Sequence, residues 1–299
     1  MAAVTGPDLE WRELSRRASL QSHRLIGWIY WDPRAIDNYA ALGVPDGIGY
    51  YIATRGATLG AAGNDVVTAA FYSIHPGFVA FGLDQCRTHT TFEAAAAARD
   101  AAVVDGLREY VPEICDELAS MAPQLWSAAD ALPLAGRALF ASTRAWPRPH
   151  DPLLSAWLAV NCIREWRGDT HWAIVVAAGL THPEASILHN AHVHYETDWM
   201  PKSRGATPEE IDAGWNALIR KGLAVVDAGG HRHVNAEGLA LRARIEDDTD
   251  RLTTLPWELL GEERSLWFAE RFEPPCEALL ARVDETAGPN YQPASRLHD

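Results

Sequence analysis

The sequence predicts a mainly α-helical protein of two halves, each closed by a small β-hairpin and joined by a helical bundle. Three observations carry this. Helix start and stop signals outnumber strand signals along the 299 residues. A clear hairpin pattern lies between residues 223 and 234. A long apolar run fills the middle of the chain, interrupted by one charged band at residues 164–171. The first half shows an order of short helix, glycine turn and helix that residues 205–255 echo, too weakly to count as a repeat.

Residues 8–25 place Leu9, Leu14, Ala18 and Leu25 among charges, the pattern of an amphipathic helix. Asp32-Pro33 supplies an N-cap and a proline at the first helical position, and that helix stops near Gly43. Val44 to Gly47 is a turn, residues 49–55 a short helix, and Gly56 to Gly63 a glycine-dotted connection. Asn64 or Asp65 caps a helix through Tyr72, and His75-Pro76 opens the next. Thr90-Thr91-Phe92-Glu93 fits a capping box ahead of an alanine-rich helix to about Tyr110. Two helices over 112–130 and 133–143 lead to a stiff proline-rich linker, where Asp151-Pro152 starts the central helix.

His182-Pro183 breaks that helix. Thr207-Pro208-Glu209-Glu210 is a second capping box, and its helix puts Ile211, Trp215, Leu218 and Ile219 on one face. It stops at Lys221-Gly222. Two short strands around Asp227–Gly230 form the hairpin. Asn235 caps a helix to about Leu255, and another covers Glu262 to Val283. The expected units are residues 1–146, an N-terminal half; 147–200, the central helix and a histidine-rich segment; 201–285, a C-terminal half; and 286–299, a flexible tail.

A formal net charge of -14 opposes binding to phosphate backbones and anionic lipid unless a local basic patch exists. The four cysteines, Cys86, Cys115, Cys162 and Cys276, form no C-x-x-C pair and read as reduced thiols of a cytoplasmic protein. Met1 to Asp8 lacks the basic and apolar regions of a signal peptide, and no run of 18 apolar residues appears.

The central stretch concentrates chemistry. Arg164, Glu165, Arg167, Asp169 and His171 are five ionisable groups in eight residues, inside an apolar helix. Buried charges are paired, hydrogen-bonded or in contact with a ligand. Arg164, Arg167 and His171 share one helix face, and Glu165, Asp169 and Trp172 a neighbouring one. Gly168 lowers helix stability and leaves room for a kink or a close approach. Two readings stand: the polar floor of a small-molecule pocket, or an ion-pair network locking helices together. In the first, Asp169 and His171 are the acid–base pair, a His beside a carboxylate being the usual unit. Arg55, Tyr72, His75, Glu165, Arg167 and Trp172 then hold the ligand.

His189, His192 and His194 follow an H-x-x-H-x-H spacing. Imidazoles are good metal ligands, but neither a helix nor a strand brings all three to one face. The plain reading is a surface segment, so no cofactor is predicted, with a metal or haem site as the alternative.

The segment Trp215 to Leu223, the hairpin, and Asn235-Ala236-Glu237-Gly238 resemble the second half of a MarR-type winged helix, whose "T-x-x-G" helix start appears here with asparagine. More of the chain resembles a little-characterised actinobacterial family of MarR-like winged helix-turn-helix proteins. That likeness is carried by residues 39–43, 55–60, 71–76, 164–171 and 246–252. The histidine-rich segment 189–194 departs from the family's pattern. The resemblance implies two winged-helix-like halves with small β-hairpin wings, and no shared reaction. Glu209, Glu210 and Asp212 crowd the start of the candidate recognition helix, with Arg220 and Lys221 at its end. The start of such a helix normally enters the major groove, so nucleic acid is not the expected partner.

The expected function is binding of a planar organic molecule in an aromatic, histidine- and arginine-lined pocket. The protein either sequesters it or acts on it by acid–base chemistry without a redox cofactor, such as a cyclisation or isomerisation. The alternatives are a ligand-responsive MarR-type regulator, acting as a homodimer, and a metal or haem protein.

Overall fold

A computed structural model describes residues 7–297, with side chains from Trp11 onward. The first six residues, expected to hold no leader, and the Leu9 side chain lie outside the described residues.

α1 (Pro7–Gly27) buries Ala18, Leu25 and Ile26 and runs into a 3-10 turn at Trp28–Trp31. Asp32 accepts the Arg34 and Ala35 N–H groups and, with Pro33, starts α2 (Pro33–Ala40) as expected. α3 (Tyr50–Arg55), a 3-10 helix at Ala57–Ala62 and α4 (Asn64–Phe71) follow. Among the described residues the sheet has two strands, both in the C-terminal half, so the hairpin expected in the first half does not form. The glycine-dotted connection has no alternating apolar pattern to pair as strands. It winds tightly instead, and Gly60 lies so close to Phe92 that a Cβ would sit 2.4 Å from the ring.

α5 (Pro76–His89) starts at His75, whose Nδ1 accepts the Gly77 N–H at 3.1 Å. α6 (Phe92–Tyr110) is capped by Thr91 through the Ala94 N–H, so the box expected between Thr90 and Glu93 is one residue out of register. α7 (Cys115–Ser120), α8 (Ala122–Ala131) and α9 (Ala138–Ala145) lead to α10 (Pro152–Ala177). Asp151 caps α10 by accepting the Leu154 N–H at 2.9 Å.

α11 (His182–His192) opens on a capping box between Thr181 and Glu184 that was legible in Thr-His-Pro-Glu but not anticipated. α12 (Trp199–Ser203) is short, and α13 (Pro208–Arg220) carries the expected box between Thr207 and Glu210. β1 (Ala224–Val226) pairs antiparallel with β2 (Arg232–Val234), Val225 facing His233. Asn235 caps α14 (Ala236–Leu252). α15 (Leu255–Leu260), α16 (Glu262–Arg271) and α17 (Glu273–Thr286) complete the chain, the helix expected over 262–283 breaking at Phe272.

The largest core joins α1, α2, α6 to α8, the first half of α10 and α15 to α17, around Trp28, Trp157, Trp166 and Trp257. A smaller core joins the end of α10 to α11, α13 and α14, and a third holds α3 to α5 with α9. α10 thus runs out of one core into another, and its charged band sits at the changeover. Of the segment expected as a flexible tail, the described residues 286–297 lie against the first core: Tyr291 meets Trp31 at 4.4 Å between ring centres, and Gln292 donates to Gly27 O at 3.1 Å. No described helix is long and apolar enough to cross a membrane.

Candidate functional site

α10 stays helical through Gly168. A Cβ there would meet its nearest neighbour, Glu165, at an ordinary 3.5 Å, so this glycine marks neither a kink nor a close approach. The charged band faces three ways.

Towards the N-terminal half, Glu165 accepts from Arg55 Nε at 3.0 Å and Nη2 at 2.8 Å, and from Arg164 Nη1 at 2.6 Å. Burial pushes the Glu165 carboxyl up, but the two guanidiniums outweigh it and its pKa falls below the usual range. Arg55 also donates to Tyr51 Oη and lies over the Phe71 ring at 4.7 Å.

Asp169 turns towards α9. Its Oδ2 accepts the Phe140 N–H at 2.9 Å, capping a helix whose own N-cap residue, Arg137, offers no side-chain bond. Burial raises the Asp169 pKa to about 6, against the pull of that N–H.

Towards α14, Arg167 pairs with Asp250 at 2.5 Å and Arg242 with Glu246 at 2.5 Å. His171 Nδ1 lies 3.0 Å from Thr249 Oγ1 and 3.9 Å from Glu246 Oε1. Burial, with Arg242, Arg167 and Arg204 nearby, pushes the His171 pKa down to about 4 in spite of Glu246. No hydrogen bond among the described residues joins Asp169 to His171; the expected acid–base pair is separated because the two side chains leave α10 towards different helices.

Beside His171 a narrow gap of about 10 Å³, room for about one water molecule, lies between α10, α11 and α14. Trp172, Val175, Leu180, Ala185 and Ile245 give it apolar walls, and His171, His189, Arg204 and Arg242 give it polar ones. Tyr72 stacks on Trp172 with ring centres 5.2 Å apart and donates to Leu180 O. It does so from a positive φ of 48°, a strained conformation for a bulky residue and one held by its surroundings. His75 supports the gap from behind: its N–H donates to Arg204 O at 2.9 Å, and its Nε2 lies 3.1 Å from Glu210.

Of the expected ligand-contacting residues, Trp172 lines the gap, as does the acid–base candidate His171, while Tyr72 backs its wall and His75 anchors Arg204. Arg55, Glu165 and Arg167 are consumed in ion pairs. Arg204 and Arg242 were missed. Ser203-Arg204-Gly205 reads as a solvated turn, whereas Arg242, Glu246, Thr249 and Asp250 repeat at helical spacing and could have been read as an inner polar stripe. His189 lines the gap, His192 lies in the last turn of α11, and His194 lies beyond it at φ 55°. Among the described residues no three His, Cys, Asp or Glu side chains are grouped to hold a metal ion.

From α11 the chain runs through three helices and the hairpin into α14, and a profile described as a helix-turn-helix family matches residues 15–286. The chain belongs to this helix-turn-helix family. No curated protein and no solved structure matches it. In this helix-turn-helix protein, α13 is the helix that leads into the hairpin. Glu209 and Asp212 are exposed on it. Arg232 of the hairpin is paired with Asp212, and Glu210 with His75, so the N-terminal end of α13 is docked on α5.

Proposed function

We propose that this helix-turn-helix protein binds a small, planar organic acid between α10, α11 and α14, where the narrow gap widens to admit it. One observation carries the reading. Arg204 is the one arginine lining the gap that has no carboxylate within ion-pair distance among the described residues; its Nη1 donates only to Ser186 Oγ, at 3.2 Å. Burial and the neighbouring Arg242 and Arg55 push its pKa down to about 10, against Tyr51, so its charge is held at a cost. A ligand carboxylate would offset that cost with a two-point hydrogen bond. The apolar walls and the Tyr72–Trp172 stack suit a flat apolar body once the side chains part.

The protein then sequesters the acid or acts on it by acid–base chemistry without a redox cofactor, as in a cyclisation or isomerisation. Of the two residues expected to move protons, His171 lines the gap and Asp169 serves α9. Free, buried cysteines fit a cytoplasmic setting. Native mass spectrometry of protein from its producer, followed by calorimetry with the retained compound, tests the reading. The expected result is a bound acid whose affinity falls at least tenfold in Arg204→Gln. Unchanged affinity in that variant sinks it.

A second reading, a ligand-responsive MarR-like regulator, draws on the helix-turn-helix and hairpin order. It requires a basic face on a homodimer, whereas α13 presents carboxylates. Salt-sensitive retention of duplex DNA by the intact protein would favour it, and no retention at low salt would remove it.

A further inference from the structure

Thr249 lies on α14, fully buried, behind His171. Its hydroxyl has one hydrogen to give and two lone pairs. That hydrogen is committed to Ile245 O, one turn back at 2.7 Å, the usual use of a helical threonine. His171 Nδ1 lies 3.0 Å from the same hydroxyl oxygen. With the hydroxyl hydrogen spent, this contact forms only if Nδ1 carries a proton and donates it. Glu246 Oε1, 3.9 Å from Nδ1, favours the same arrangement. Burial keeps the ring uncharged, so the lone pair sits on Nε2. Nε2 makes no hydrogen bond among the described residues, and the ring lines the gap.

We propose that Thr249 fixes His171 as a hydrogen-bond acceptor in the gap, so that the ligand carries a hydroxyl or N–H donor on the same molecule as its anionic group. The inference rests on the organic-acid reading above and adds a second recognition element to it. Arg204 takes the anion, and His171 Nε2 takes the donor. Trp172, whose ring centre lies 4.9 Å from that of His171, bounds the space between them. An acid without the donor leaves Nε2 buried and unpaired, which is how a site that hydrogen-bonds a hydroxyl rejects the analogue lacking one. Thr249 is a positioning residue: it touches His171 and not the gap.

The test uses the intact protein labelled with ¹⁵N and a panel of probes: benzoate and its hydroxy- and amino-substituted isomers. Nitrogen chemical shifts are expected to show His171 protonated on Nδ1 in the wild type and in Thr249→Ser, and mixed tautomers in Thr249→Val. Calorimetry is expected to show at least one substituted acid bound tenfold or more tighter than benzoate in the wild type and in Thr249→Ser. That preference should shrink to less than threefold in His171→Phe. A wild-type ring protonated on Nε2 overturns the proposal, and so does equal binding of benzoate and every substituted isomer. If no acid binds at all, the organic-acid reading falls and takes this inference with it. Should Thr249→Val fail to fold, the wild-type tautomer and the panel still decide.

Discussion

Glu165 on α10 and Arg55 on α3 meet in a two-point ion pair, with N···O distances of 3.0 and 2.8 Å, where the N-terminal half closes on the central helix. Glu165 is 1% exposed and is also the partner of Arg164. Removing its charge leaves two guanidiniums without a counter-ion. Glu165→Gln is therefore expected to lose about 3–5 kcal/mol of stability, the range for breaking a buried pair. Urea unfolding measures it, and a loss below about 1 kcal/mol would show that water reaches the pair.

The network reading of the charged band holds at Arg55, Glu165 and Arg167, and the pocket reading is the one proposed for the side that carries His171. Periodicity correctly put five ionisable groups inside an apolar helix, because 3.6-residue spacing is written in the chain. The destination of each group was not, since Asp169 finds Phe140 and His171 finds Thr249 through contacts 29 and 78 residues away. Caps at Asp32, Asp151, Thr207 and Asn235 were legible because they are local. Arg204 was invisible because only the fold wraps a turn arginine with His75 and Arg242.

Asp169 and His171 act oppositely on the pH dependence of stability. The folded Asp169 pKa of about 6 is raised above its ordinary 3.8, so its contribution is present below that value and is lost as pH rises through about 6. The folded His171 pKa of about 4 lies below 6.5, so its contribution is present above 6.5 and is lost as pH falls through about 4. Each is worth about 3 kcal/mol at its limit, taking 1.36 kcal/mol per unit, and the two offset each other between the shifted values. Asp169→Asn keeps an acceptor for Phe140 and removes one side of the balance. Its stability should climb more steeply from pH 4 to 6 than the wild type's, and exceed it near pH 7. Parallel profiles in unfolding at several pH values would contradict this assignment.

Gly238 is the glycine of the Asn235-Ala236-Glu237-Gly238 helix start, and the hairpin explains it. A Cβ there would lie 2.3 Å from Leu223 O and 2.5 Å from Val234 Cγ1, both on the segments that enter and leave the hairpin. Backbone cannot yield as a side-chain tip can. Gly238→Ala is expected to cost about 1–3 kcal/mol through overpacking. Hydrogen exchange should rise first in β1 and β2, and an unchanged hairpin would place the cost elsewhere.

Arg204 gives stability and binding opposite signs. In the unliganded protein its charge is half-buried with Ser186 as its hydrogen-bond partner and Arg242 and Arg55 as cationic neighbours. Glutamine at this position keeps a donor for Ser186 and removes the charge. Arg204→Gln should then be more stable than the wild type without ligand, by on the order of 1 kcal/mol. The same change deletes the group proposed to meet the acid, so a ligand that raises the wild-type melting temperature should leave the variant's unmoved. A structural arginine predicts the reverse of the first result: lower stability in Arg204→Gln. Melting curves of both proteins, with and without the bound acid, separate the two. A variant that is less stable and still responds fully to the acid would return Arg204 to the scaffold and leave the gap without its anion site.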